Sequence, residues 1–160
     1  MEGDSVLLGI AGLAVSFAGF ASIVVSFQRG DQRGWPPHVA VRLRSMIEVS
    51  FVALFFAILP FGLFYLGVTG AALWRVSSAI LTVGAGLMAV RVLRASHPYL
   101  GALGLSRTFS WTAGLATAFV LAFQLLNALG LFRARPFGLF LLGLLWTLAF
   151  AAFMFLRLVT

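Results

Sequence analysis

Five apolar runs, each about long enough to cross the hydrocarbon of a bilayer, take up most of this chain. They lie at residues 5–27, 43–66, 71–90, 109–131 and 137–159. A spanning helix needs about 20 consecutive apolar residues. The pattern predicts an all-α fold, a polytopic transmembrane helix bundle of five helices, with residues 1–160 forming a single transmembrane domain. Composition agrees: 62% of residues are hydrophobic and 9% charged, whereas soluble domains carry about 45–50% and about 25%.

Two residue types are missing altogether. Without cysteine, disulfides, thiolate nucleophiles and cysteine-held zinc or iron–sulfur centres are excluded. All eleven basic residues are arginine, so a lysine Schiff base to retinal or PLP is excluded too. An arginine-only basic set in a chain rich in Ala, Gly and Leu fits a high-GC bacterium. The net charge of +7 is placed at the ends of the apolar runs. That placement implies membrane orientation and anionic lipid headgroups rather than nucleic acid. The N-terminus carries Glu2 and Asp4, unlike the basic start of a secretory signal.

Arginine bias orients the bundle. With the first and third connections and the C-terminus in the cytoplasm, that side holds Arg29, Arg33, Arg42, Arg44, Arg91, Arg94, Arg107 and Arg157. The other side holds Arg75, Arg133 and Arg135. The N-terminus is therefore expected outside and the C-terminus in the cytoplasm. Arg133 and Arg135 are the exceptions to this bias, and a re-entrant final pair of segments would reduce the span count. Pro36-Pro37 suits the first turn of the second helix, and Pro60 lies inside it. A tight turn is expected around Gly67 and Gly70. Arg91 and Arg94 fall in a polar third loop with His97-Pro98-Tyr99 and Arg107.

Helix one carries two small stripes. Gly9, Gly12, Ser16, Gly19 and Ser26 form one, and Ala11, Ala14, Ala18 and Ala21 the other, with a bulky ridge including Phe17 and Phe20 between them. Small residues let membrane helices approach closely. The packing reading has helix one gripped by neighbours on both sides, through Gly9, Gly12, Ser16 and Gly19 as well as the alanines. The functional reading is a narrow pore or a self-association seam. Helix four places Ser110, Thr117, Gln124 and Asn127 along one face, and helix three places Arg75, Ser78 and Thr82 along another. Amides in hydrocarbon are costly without partners, so these residues either bond between helices or line a polar path. Gln124, Asn127 and Arg75 fall toward the same outer side.

Glu48 is the one acidic residue inside an apolar run, and a charge at membrane depth marks a candidate functional site. Its expected partner is Arg44, one helical turn earlier, with Arg42 close by. The alternatives are a structural ion pair and a functional carboxylate near the cytoplasmic boundary. His38 and His97 lie on the same side, but no histidine pair shares a helix at ligand spacing, so no metal site is assigned. No cofactor motif is found either. Gly84-Ala85-Gly86 lacks the third glycine of a dinucleotide fingerprint, and no P-loop, HExxH or nucleophile elbow occurs.

The segments Phe17-Ala18-Gly19-Phe20, Arg42-Leu43-Arg44-Ser45-Met46-Ile47-Glu48 and Leu59-Pro60-Phe61 resemble small uncharacterised bacterial multi-spanning inner-membrane proteins. The resemblance covers the first half of the chain and implies a bacterial inner membrane, with no activity to transfer. The leading expectation is a non-enzymatic accessory or structural membrane protein, as a homo-oligomer or beside a membrane partner subunit. An oligomeric ion channel or small transporter using the polar face of helix four is the alternative. A lipid-modifying enzyme built on Glu48 is the third.

Overall fold

A computed structural model describes residues 3–28, 36–99, 107–132 and 135–159. Five α-helices follow one another: α1 Asp4–Gln28, α2 Pro37–Tyr65, α3 Gly70–Ser96, α4 Arg107–Ala128 and α5 Pro136–Val159. A single 3₁₀ turn, His97–Tyr99, follows α3. There is no strand among the described residues. Each helix is long and apolar enough to cross a membrane, so the chain is a polytopic five-helix bundle. Of the residues used for orientation, Arg29, Arg33 and Arg133 lie outside the described residues. Arg42, Arg107 and Arg157 are described in backbone only, as are Ser26, His38 and Ser110.

Local chemistry sets the helix ends. Asp4 opens α1, its carboxylate accepting the Ser5 N–H at 2.8 Å near the positive end of the helix dipole. Pro37 is the first residue of α2 and Pro36 its N-cap, where a missing N–H costs nothing. α2 and α4 both close on a left-handed glycine. Gly67 has φ +89° and Gly130 φ +74°. Beyond them Val68 donates to Leu63 O at 3.0 Å and Leu131 to Leu126 O at 3.1 Å, the six-to-one bond of a Schellman ending. The expected tight turn near Gly67 is therefore present. The fourth helix stops three residues short of the expected Leu131, because Gly130 has already reversed the chain.

α3 corrects the third loop. The expected segment ended at Val90, whereas α3 runs to Ser96 and carries Arg91 and Arg94 on its last turns. Hydropathy falls at the first arginine, but a helix continues past it when the long side chains can reach polar surroundings. α4 and α5 are separate helices of 22 and 24 residues, each long and apolar enough to cross a membrane.

α2 and α5 occupy the middle of the bundle. α1 packs on both from one side, α3 and α4 complete the other, and α5 touches all four remaining helices. The main core joins Leu7 and Ile10 of α1, Phe56 and Ala57 of α2, Leu73, Trp74 and Leu81 of α3, and Phe140 and Leu144 of α5. The Trp74 ring lies 4.7 Å from that of Phe137 and 5.7 Å from that of Phe140.

Helix one is gripped on one side only. Ala11, Ala14 and Ala21 are buried. Gly9, Gly12, Ser16 and Gly19 are exposed, and a Cβ added at any of the three glycines would meet nothing within 4 Å. The expectation of packing through Gly9, Gly12, Ser16 and Gly19 is thus not met within the chain. The alanine methyls already fill the contact with α2 and α5, and the opposite stripe faces outward. Close approach occurs instead at Gly84 and Gly143. A Cβ on Gly84 would lie 2.6 Å from Phe56 Cζ, and one on Gly143 would lie 2.7 Å from both Leu81 Cδ2 and Gln124 Nε2.

Candidate functional site

The residues singled out by sequence form two groups near opposite ends of α3. The first centres on Glu48. On α2, Arg44 and Glu48 are four residues apart and share a face. Arg44 Nε donates to Glu48 Oε1 at 2.9 Å, and Arg91 Nη2 of α3 donates to the same oxygen at 2.9 Å. The Glu48 side chain is 25% exposed, against 71% for Arg44 and 58% for Arg91. One carboxylate oxygen thus links α2 to α3 through two charge-assisted hydrogen bonds, while both guanidiniums keep free edges outward. Arg44 was the expected partner. Arg91 was not, because its place in the sequence reads as a loop. The side chain of Arg42 lies outside the described residues.

The second group sits where α3, α4 and the first turns of α5 meet. Gln124 and Asn127, three apart on α4, are both fully buried. Asn127 Nδ2 donates to Ser78 Oγ at 2.8 Å and to Pro136 O at 2.9 Å. Gln124 Nε2 donates to Leu139 O. A carbonyl oxygen has two lone pairs, so the opening turns of α5 accept these bonds in addition to their helical ones. Because Leu139 O and Pro136 O can only accept, the amide nitrogens of Gln124 and Asn127 must face α5. That leaves Gln124 Oε1, Asn127 Oδ1 and Ser77 Oγ buried without a donor among the described residues. Arg75 is at the same end but goes elsewhere: its guanidinium packs on Gly130, where an added Cβ would meet Cζ at 2.7 Å. Sequence thus places Gln124 and Asn127 together correctly, and the structure leaves Arg75 beside them against the α4 turn.

Thr117, on the same face of α4, donates to Ala113 O at 2.8 Å and accepts from Trp146 Nε1 of α5 at 3.2 Å. Along α3, Thr82 donates to Ser78 O at 2.7 Å. The α4 stripe is therefore spent chiefly on α5. Gly143 makes room for the Gln124 amide, a role visible in sequence only as one glycine among many.

Between the two groups, α3, α4 and α5 diverge around a half-open cleft of about 540 Å³ that also reaches Val49 and Val52 of α2. Its walls are apolar, with Gly86 and Leu93 on α3, Gly114 and Leu121 on α4, and Trp146 and Phe150 on α5. His97 stands at one end and Gln124 at the other.

Comparison with protein-family models, with curated proteins and with solved structures finds no match.

Proposed function

We propose that this chain is a non-enzymatic, multi-pass protein of a bacterial cytoplasmic membrane, with its N-terminus outside and its C-terminus in the cytoplasm. It acts as an accessory or structural subunit. One observation carries the reading: one oxygen of Glu48 and the amide nitrogens of Gln124 and Asn127 are engaged in holding helices together. Glu48 Oε1 accepts from both Arg44 and Arg91, and the Gln124 and Asn127 nitrogens are bound to α5 carbonyls. A catalytic acid, base or nucleophile needs a free face toward substrate.

The alternative, an oligomeric ion channel or small transporter along the polar face of α4, has one observation in its favour. Gln124 Oε1, Asn127 Oδ1 and Ser77 Oγ have no donor among the described residues, and a hydrated path would supply one. Ion flux in proteoliposomes separates the two. Purified protein is expected to conduct no more than empty vesicles. Gln124→Leu is expected to leave that unchanged while lowering stability by about 1 kcal/mol, the scale of hydrogen bonds between membrane helices. A flux that Gln124→Leu or Asn127→Leu abolishes in folded protein would replace the accessory reading with the channel.

A further inference from the structure

The cleft among α3, α4 and α5 has a length, a wall chemistry and a rim that together define an occupant. From His97 to Gly86 along α3 is about 16 Å at 1.5 Å per residue, and both residues line the cleft. That is about half of a 30 Å hydrocarbon core, the depth of a single leaflet. The volume of about 540 Å³ falls within the range of about 300–1,000 Å³ typical of small-molecule sites.

The walls offer hydrocarbon contact and little else. The Thr117 hydroxyl and the Trp146 indole N–H are bonded to one another, and Thr147 donates to Leu144 O at 2.7 Å. At the inner end, the Gln124 nitrogen is bound to Leu139 O and its oxygen is fully buried, closed off from an occupant. The rim is different. His97 is exposed at the mouth, and the exposed Arg94 precedes it by three residues on the last turn of α3. The free edges of Arg91 and Arg44 face outward at the same end, where Glu48 supplies the one carboxylate among the described residues. A chain-shaped apolar cleft one leaflet deep, opening under an excess of guanidinium charge, is complementary to an anionic amphiphile.

We propose that the cleft is a binding site for one anionic phospholipid, with an acyl chain between α3, α4 and α5 and the phosphate held by Arg94 and His97. The proposal rests on membrane insertion and not on the accessory role, so the flux result above leaves it unaffected. It is tested by titrating detergent-purified protein with phosphatidylglycerol or phosphatidylcholine of matched chains and counting bound lipid by native mass spectrometry. The parent is expected to hold one phosphatidylglycerol in preference to phosphatidylcholine. Arg94→Gln should weaken that preference about fivefold, the effect of one basic residue near the headgroups. Gly114→Phe fills the cleft, and a Cβ there meets nothing within 4 Å, so it should lose both lipids. Gly12→Phe, on the exposed face of α1 and equally free of contacts, should bind as the parent does. A phosphatidylglycerol carrying a photoreactive acyl chain checks the parent itself. Its crosslinks should concentrate at residues 86–93 and 114–121 rather than on α1. Equal binding of the two lipids, unchanged binding by Gly114→Phe, or crosslinks spread evenly over the five helices would overturn the proposal.

Discussion

Gly84→Ala is expected to destabilise the bundle by about 1–3 kcal/mol, the cost of forcing a methyl into a well-packed interior, and Gly84→Leu by more. The added Cβ would stand 2.6 Å from Phe56 Cζ and 3.1 Å from Cε2. The Phe56 ring has little room to move: it is 3% exposed, belongs to the main core, and stands edge-on to Phe55 at 5.2 Å. Apolar burial offers no net drive between helices already in lipid, so steric fit carries much of their association. Phe56→Leu withdraws the ring tip, and the double change Gly84→Ala with Phe56→Leu should be only slightly worse than Phe56→Leu alone. Unfolding in mixed micelles measures all of these. Gly12→Leu should leave the stability of the isolated chain within about 0.5 kcal/mol, as for a surface change away from special features. If Gly84→Ala and Gly12→Leu unfolded alike, the assignment of close packing to α3 rather than the glycine stripe of α1 would fail.

That contrast marks a limit of sequence reading. The two small stripes of α1 are equally suited to close approach, and periodicity alone does not say which one faces the bundle. The deciding fact is three-dimensional: α1 touches chiefly α2 and α5, with one side left over. Conversely, Gly84 sits in an ordinary apolar helix, and only the ring placed opposite by α2 gives it a role. The five helices themselves were legible because length and hydropathy are local properties. The helix ends were less so at α3, where Arg91 and Arg94 lie on continuing helix beyond the apolar run.

Removing both arginines from Glu48 is expected to cost far more than removing either. Arg44→Ala leaves Arg91 on the same oxygen and Arg91→Ala leaves Arg44. Each should cost about 1 kcal/mol, as for partly exposed pairs. The double change strands a carboxylate that is 25% exposed. Stranding a dry buried charge costs about 3–5 kcal/mol. Access to water and headgroups should reduce this to about 2–3 kcal/mol. Adding Glu48→Gln to the double variant should recover most of the loss, because the uncompensated charge is then gone. The sequence alone supplies Arg44 as the partner, with only Arg42 close by. The second guanidinium arrives from 43 residues away, a separation that no local pattern reveals. A double variant no less stable than the singles would mean that Glu48 is not held as an anion between α2 and α3.

The same limit applies in part to Gln124 and Asn127. Their shared face, their need for partners and one acceptor of Asn127, Ser78 on the polar face of helix three, are written in the sequence, but the other acceptors are backbone carbonyls of α5, and any residue type supplies those. Arg75 lies at the same end and packs on Gly130, a contact that depends on how the α4 turn folds back.

The proposed topology, five crossings with the N-terminus outside, is directly measurable because the chain contains no cysteine. Ser5→Cys and Thr160→Cys, each the sole cysteine in its variant, are treated with a membrane-impermeant maleimide in intact cells and again after permeabilisation. Ser5→Cys is expected to react in intact cells, and Thr160→Cys only once the membrane is opened. Labelling of both termini from the same side would contradict an odd number of crossings, and the reverse pattern would contradict the orientation.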